Sequence, residues 1–137
     1  MLREMGLSET TKRGIPREKC VFVARKRGND ELAPCDDLFR DFDTRKKALE
    51  RKLGKGSAEA HNRAFIESNY EPRYRAQIIG NIEALRKLEE ISNRAQNDDV
   101  FLVCYEGASK ACHRRILLRI AEERFGAKVI IEGVEPK

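Results

Sequence analysis

The chain has 137 residues, of which 40% are hydrophobic and 37% are charged, which is enough apolar content for one domain with its own core. It has no run of about 20 apolar residues, which excludes a membrane-spanning helix, and its first residues lack the apolar centre of a signal peptide. We therefore predict a cytoplasmic protein whose four cysteines are free thiols. No Cys-x2-Cys pair is present, so we expect neither a zinc site nor another cofactor.

The excess positive charge lies near the N-terminus. Residues 1–29 contain eight Lys or Arg and three acidic residues, which accounts for the whole net charge of +5. Residues 1–18 are polar and contain Gly6, Gly14 and Pro16, so we interpret them as a flexible basic leader before a single domain over residues 19–137. A basic arm can follow a phosphate backbone, which makes non-specific nucleic-acid binding one alternative function. A solvated tail without a partner has the same composition.

Three short apolar runs predict strands that are buried on both faces: residues 20–24, Val100–Cys104 and residues 128–132. The segments around them have the apolar spacing of amphipathic helices. We predict helices over residues 34–53, 57–69, 74–96 and 114–125, with Gly126 at the C-cap of the last. This order of elements predicts a three-layer, Rossmann-like α/β domain with a small, mainly parallel sheet.

The segment between the second predicted strand and the last helix contains the candidate ligand-binding residues. In open parallel sheets, ligands bind beyond the carboxyl ends of strands, where a loop leads into a helix. Gly107 permits a bend, Ser109 is a candidate helix cap, and the free amides of the first helical turn favour an anion. Lys110 and Arg114 add positive charge, and Arg25 follows another predicted strand. The preferred interpretation is a loop that binds a phosphate-bearing ligand, either a nucleotide or a nucleic acid.

Cysteine chemistry is the alternative for the same segment. Cys104 ends a strand, and Cys112 lies near a helix start, where the helix dipole and cationic neighbours favour a thiolate. His113 is a candidate base. The Cys-x5-Lys spacing from Cys104 to Lys110 is similar to the Cys-x5-Arg of cysteine phosphatases and rhodanese-like sulfurtransferases, although lysine cannot clamp an oxyanion as arginine does. A phosphatase-like or sulfur-transfer enzyme is therefore one alternative, and two cysteines that only pack in the core are another.

The sequence Val103-Cys104-Tyr105-Glu106, followed by Cys112-His113-Arg114, resembles the signature of domain-of-unknown-function family 488 (DUF488) over roughly residues 20–132. The resemblance implies an α/β fold and a polar site built around these cysteines, Glu106, His113 and Arg114, but no particular activity. Many members open with a strand that ends in Gly-His-Ser, a motif that is absent here. We therefore expect a short branch in which the strand ending near Arg25 comes early.

Overall fold

The computed structural model describes residues 1–135 and contains a small open sheet of three parallel strands. The strands are β1 (Leu2–Gly6), β2 (Cys20–Phe22) and β3 (Val100–Cys104), in the spatial order β1-β3-β2. All five residues of β3 are buried, as a continuous apolar run predicts for a central strand. Strand β2 pairs with β3 in parallel, so the predicted parallel sheet is confirmed.

Six α-helices accompany the sheet within residues 1–135: α1 (Leu7–Lys12), α2 (Asp36–Leu53), α3 (Ala58–Glu67), α4 (Tyr70–Ile79), α5 (Ile82–Arg94) and α6 (His113–Phe125). Helices α2 to α6 contribute to the main core, which includes Leu102 and Cys104 of β3. On the opposite face, Phe101 and Val103 form a small cluster that Leu7 and the segment after α1 cover. The architecture is consistent with the predicted Rossmann-like α/β domain. None of these helices is both long and apolar enough to cross a membrane.

The predicted flexible leader is wrong for Leu2–Gly6, which form strand β1 beside β3. Leu2 is fully buried and Met5 is 3% exposed. The sequence does not predict this strand, because two adjacent charged residues, Arg3 and Glu4, lie between its apolar ones. Glu4 is nevertheless buried against two arginines, and the guanidinium of Arg3 lies 5.3 Å from the centroid of the Phe101 ring. Charge in this segment is therefore compensated by the fold instead of being solvated.

The helix predicted over residues 74–96 is two helices, because α4 ends at Ile79 and α5 begins at Ile82. Gly80 has a low helix propensity, and Asn81 leaves the helical conformation to cap α5. The Asn81 side-chain oxygen accepts hydrogen bonds from the backbone amides of Glu83 at 3.0 Å and Ala84 at 3.2 Å. Both helices pack apolar residues against the same core. The apolar spacing therefore continues across the break, which is why the sequence pattern predicts one helix instead of two.

The strand predicted over residues 128–132 is reduced to a single parallel bridge between Val129 and Leu2. The amide of Leu2 donates to the carbonyl of Lys128 at 2.9 Å, and the amide of Ile130 donates to the carbonyl of Leu2 at 3.0 Å. The pairing then stops, because the next amides turn to the side chain of Glu4. The predicted C-cap is confirmed, since Gly126 has φ 65° at the end of α6.

Replacing the cap of α5 by Asn81→Ala should lower the free energy of unfolding by about 1 kcal/mol, because two N-terminal amides lose their acceptor. Urea unfolding should show a lower midpoint with an unchanged slope. Asn97→Ala is the matched control, since Asn97 is exposed and follows α5. Equal losses in the two variants would contradict a capping role for Asn81.

Candidate functional site

A cleft of about 380 Å³ opens at the carboxyl edge of the sheet. Cys104 at the end of β3, together with Cys112 and His113 at the start of α6, forms its floor. The cleft lies where a parallel sheet offers strand ends and a helix N-terminus to a ligand. Its walls come from α2, α3 and α4 and are largely aromatic: Phe39, Phe42, Phe65 and Tyr70.

Cys112 and His113 form an oriented pair on the floor of this cleft. The Sγ atom of Cys112 lies 3.6 Å from Nδ1 of His113. On the other side of the ring, Nε2 of His113 lies 2.7 Å from the carbonyl oxygen of Val23, which can only accept a hydrogen bond. Nε2 therefore carries a proton, and Nδ1 faces the sulfur. A thiol, an imidazole and a carbonyl that orients the imidazole are thus in contact, which is the arrangement that a cysteine nucleophile and its base require.

The surroundings of Cys112 favour its thiolate. Burial opposes a charge on its sulfur, but the neighbouring Cys104 thiol and the positive charges of His113 and Arg114 hold the pKa of Cys112 well below that of a free thiol. Burial likewise opposes a charged imidazole, yet the negative charge on Cys112 and the bond to the Val23 carbonyl raise the pKa of His113. The floor of the cleft therefore favours a thiolate beside an imidazolium.

Cys104 has the opposite tendency. Its contact with Cys112, followed by its own burial and the charge of Glu106, raises the pKa of the Cys104 thiol. The sulfur of Cys104 donates to Oε2 of Glu106 at 3.3 Å, and Glu106 lines the same cleft. The two cysteines thus share a site but differ in protonation, because a second negative charge beside the first is unfavourable.

The donor atoms of Cys104, Cys112 and His113 all lie within 4.8 Å of one another. Two sulfurs and one imidazole nitrogen are donors that zinc accepts in proteins. The 3.6 Å contact between Cys112 and His113 is equally the contact of a thiolate and its base. The expectation that the chain binds no metal stays a prediction.

A buried ionic cluster lies behind the cleft. Glu4 of β1 is 3% exposed, and its Oε1 accepts a bond from Nε of Arg114 and another from Nε of Arg115, each at 2.9 Å. Two guanidinium groups face one carboxylate, so the cluster carries an excess positive charge close to Cys112. Arg115 and Glu4 were not predicted as site residues. A sequence signal did exist, because two arginines at a helix N-terminus oppose the helix dipole and so require another partner.

Arg115 also holds the loop between β3 and α6. Its Nη1 donates to the carbonyl of Lys110 at 2.6 Å and to that of Val134 at 2.9 Å, and its Nη2 donates to the carbonyl of Gly107 at 3.2 Å. A Cβ atom on Gly133 would lie 2.0 Å from Nη2 of Arg115, so this close approach requires glycine. One buried side chain thereby fixes the loop and the C-terminal segment.

The predicted site residues fall into three groups. Five of them line the cleft: Arg25, Cys104, Glu106, Cys112 and His113. Arg114 lies behind the cleft, where it pairs with Glu4. Three others do not line the cleft: Gly107, Ser109 and Lys110.

The prediction that Ser109 caps α6 is wrong, because Cys112 occupies the N-cap position. The reason is Asn62 of α3, whose side chain binds the backbone of the loop just before α6 begins. Its Oδ1 accepts from the amide of Ala111 at 2.7 Å, and its Nδ2 donates to the carbonyl of Ser109 at 3.0 Å. Helix α6 therefore begins only at His113.

Several polar residues that were not predicted also line the cleft, among them His61 of α3 and Lys46 of α2. Nε2 of His61 donates to the carbonyl of Ala111 at 2.7 Å, and burial lowers the pKa of His61, which favours the neutral ring. Neither residue stands out in the sequence, because each lies in a regular amphipathic helix. Only the packing of α2 and α3 beside α6 brings them to the cleft.

In a comparison with protein families, the model DUF488-N3a, described as the active DUF488-N3 subclade, matches residues 3–125. Neither the curated proteins nor the solved structures gave a match. The matched region runs from β1 to the end of α6 and contains every residue that lines the cleft. Strand β1 comes before β2, the strand that precedes Arg25. Strand β1 ends at Gly6, and Leu7 and Ser8 follow it, so the chain has Gly-Leu-Ser at the end of its first strand.

Removing the charge of the buried carboxylate by Glu4→Gln should lower the free energy of unfolding by about 3–5 kcal/mol, because two buried guanidinium groups lose their counter-charge. Chemical denaturation at neutral pH measures the loss. Glu132→Gln is the matched control, since Glu132 is about half exposed and lies 3.6 Å from Arg3. A Glu4→Gln variant as stable as this control would contradict the role given to the cluster.

Proposed function

Because the chain belongs to the DUF488 family, with its match in the active DUF488-N3 subclade, we propose that it is an enzyme that uses a cysteine nucleophile. The observation that supports this proposal is the 3.6 Å contact of the Cys112 sulfur with a histidine whose far nitrogen is held by the Val23 carbonyl. Cys112 is the nucleophile and His113 holds the proton that the thiol loses. Arg114 stabilises the thiolate from behind.

The lining of the cleft favours a small substrate with an apolar part and a negative charge. Aromatic side chains form its walls, while Arg25 and Lys46 bring positive charge to its opening. The guanidinium of Arg25 lies 4.3 Å from the centroid of the Phe39 ring and pairs with Asp36. An anion at this position would meet a guanidinium that is already oriented by its contacts.

Reversible binding of a phosphate-bearing ligand, without covalent chemistry, is the second candidate. The N-terminus of α6 favours it, because the helix begins in the cleft and no side chain caps its first amides. Ser109 and Lys110 do not line the cleft, so a phosphate would contact α6 and Arg25 instead of the preceding loop. The two candidates differ in their dependence on Cys112, since only the covalent mechanism requires this residue.

No observation favours nucleic-acid binding through an N-terminal arm. Leu2–Gly6 belong to the sheet. Lys19 and Arg3 already face acidic residues, at 3.1 Å from Asp98 and 3.5 Å from Asp99. The start of the basic segment is therefore part of the sheet and not a free arm.

Alkylation against pH tests the nucleophile. In a Cys20→Ser/Cys35→Ser background, iodoacetamide with a chelator present should modify Cys112 with a midpoint below the free-thiol value of about 8.5. A lowered pKa keeps the thiolate populated as the pH falls, until the pH passes below the folded-state pKa. His113→Gln should move the midpoint upwards, because the thiolate loses its positive neighbour.

The site of modification is read by mass spectrometry, and the urea-unfolded protein supplies the free-thiol reference. If Cys112 in the folded chain is inert, or titrates like the unfolded protein, the proposed nucleophile is wrong.

Titration with adenosine monophosphate tests the second candidate. Arg25→Ala should weaken binding about 10-fold or more, the effect of losing one charge-assisted hydrogen bond. Arg86→Ala is the control, because Arg86 is exposed on α5 and does not line the cleft. Calorimetry that finds no binding, or equal binding by the two variants, would dismiss the phosphate ligand at this position.

A further inference from the structure

We propose that Cys104 and Cys112 form a two-cysteine centre that reduces the S–S bond of a small disulfide held in the cleft. The inference rests on the proposed function, because it requires Cys112 as the attacking nucleophile. It adds roles for Cys104 and Glu106, which a mechanism with one cysteine does not need.

The geometry supplies both thiols to one space. Cys104 and Cys112 both line the cleft, and their sulfur atoms lie within 4.8 Å of each other. A disulfide needs about 2.05 Å between the sulfurs, so the two sulfur atoms must approach each other by no more than about 2.8 Å. Cys112 lies in an extended conformation between the loop and α6, with φ −147° and ψ 147°, outside the regular helix. Side-chain rotation at this junction therefore requires no change within the helix or β3.

Glu106 gives the second thiol an acceptor of its own. The Cys104 sulfur donates to Oε2 of Glu106 at 3.3 Å, whereas Cys112 contacts His113. Glu106 is partly exposed at the cleft, so a proton that it accepts has a route to solvent. Each cysteine thus has a proton acceptor of its own, which favours formation of the thiolate that each of two successive attacks needs.

The reaction balances in two steps. The Cys112 thiolate attacks one sulfur of the substrate disulfide; a bond forms between them, and the other substrate sulfur leaves as a thiolate with the bonding pair. Cys104 then gives its proton to Glu106 and attacks the sulfur of Cys112, which expels the second substrate thiolate. The two cysteines are oxidised to a Cys104–Cys112 disulfide and the substrate is reduced to two thiols. Turnover requires an external thiol that reduces the protein disulfide.

The lining of the cleft indicates which disulfide to use as a probe. Dithiobis(nitrobenzoate) is an aromatic disulfide with carboxylates, so it matches the aromatic walls and the positive charge of Arg25 and Lys46. Each attack releases one coloured nitrothiobenzoate, which can be counted. Cys20 and Cys35 are free and not buried, so the parent protein for the experiment carries Cys20→Ser and Cys35→Ser.

The parent chain should release two nitrothiobenzoates, and mass spectrometry after an acid quench should find a chain lighter by two hydrogens with no adduct. Adding Cys104→Ser should limit the release to one and leave the adduct on Cys112. Glu106→Gln should slow the second release about 10²-fold, the contribution of a positioned base. Glu132→Gln, a half-exposed glutamate that does not line the cleft, should leave both releases unchanged.

The outcomes separate the two proposals. One release with a retained adduct on Cys112 of the parent chain overturns the two-cysteine centre but leaves Cys112 as a nucleophile. No reaction at Cys112 in either chain overturns both. Cys104→Ala serves as a second variant, provided that its unfolding midpoint is like that of the parent, and it should also release one nitrothiobenzoate. A second release from Cys104→Ala would exclude Cys104 as the second thiol of the centre.

Discussion

The carboxylate of Glu4 is the contact that fixes the back of the cleft. It accepts bonds from Arg114 and Arg115 of α6, and also from the amides of Glu132 and Gly133 near the end of the chain. A buried charge is costly unless it is paired and hydrogen-bonded, and here the partners come from two other parts of the fold, α6 and the C-terminal segment. Strand β1, helix α6 and the C-terminal segment are therefore held in one arrangement. Through Arg115 the same cluster reaches the loop that precedes α6.

The cluster also has an electrostatic consequence for the cleft. One carboxylate does not neutralise two guanidinium groups, and Nη1 of Arg114 is buried without a hydrogen-bond partner among residues 1–135. Positive charge of this kind, in a medium of low dielectric constant, favours a negative charge nearby. The adjacent Cys112 is the group that can carry that charge. The interaction that organises the fold thus also favours the thiolate.

The cleft combines side chains from distant parts of the chain with different chemical properties. Helices α2 to α4 bring aromatic walls, while β3 and the start of α6 bring two thiols and an imidazole. The thiols differ because Cys112 faces His113 and Arg114, whereas Cys104 faces the carboxylate of Glu106. The proposed function uses one of these sulfurs, that of Cys112, as a nucleophile. The further inference uses both sulfurs as a pair.

Local patterns in the amino-acid sequence are sufficient to predict part of the fold. The apolar run of Val100–Cys104 predicts the central strand, the spacing of apolar residues predicts most of the helices, and the resemblance that includes the Cys-His-Arg motif indicates the family. Local pattern failed at Asn81, where two helices share one apolar face, and at β1, where Glu4 made a buried strand look solvated.

The polar contacts of the site, in contrast, join residues that are far apart in the sequence. Glu4 and Arg114 are separated by 110 positions in the sequence, and His61 reaches Ala111 across 50. Neither contact leaves a periodic signal, because hydrophobic spacing reports the face that a residue occupies and not the partner on that face. Ser109 could be assigned as a cap from its position alone, but Asn62, from another helix, determined where α6 begins. Partners of polar groups are fixed by the packing of distant elements, and only the folded chain contains that information.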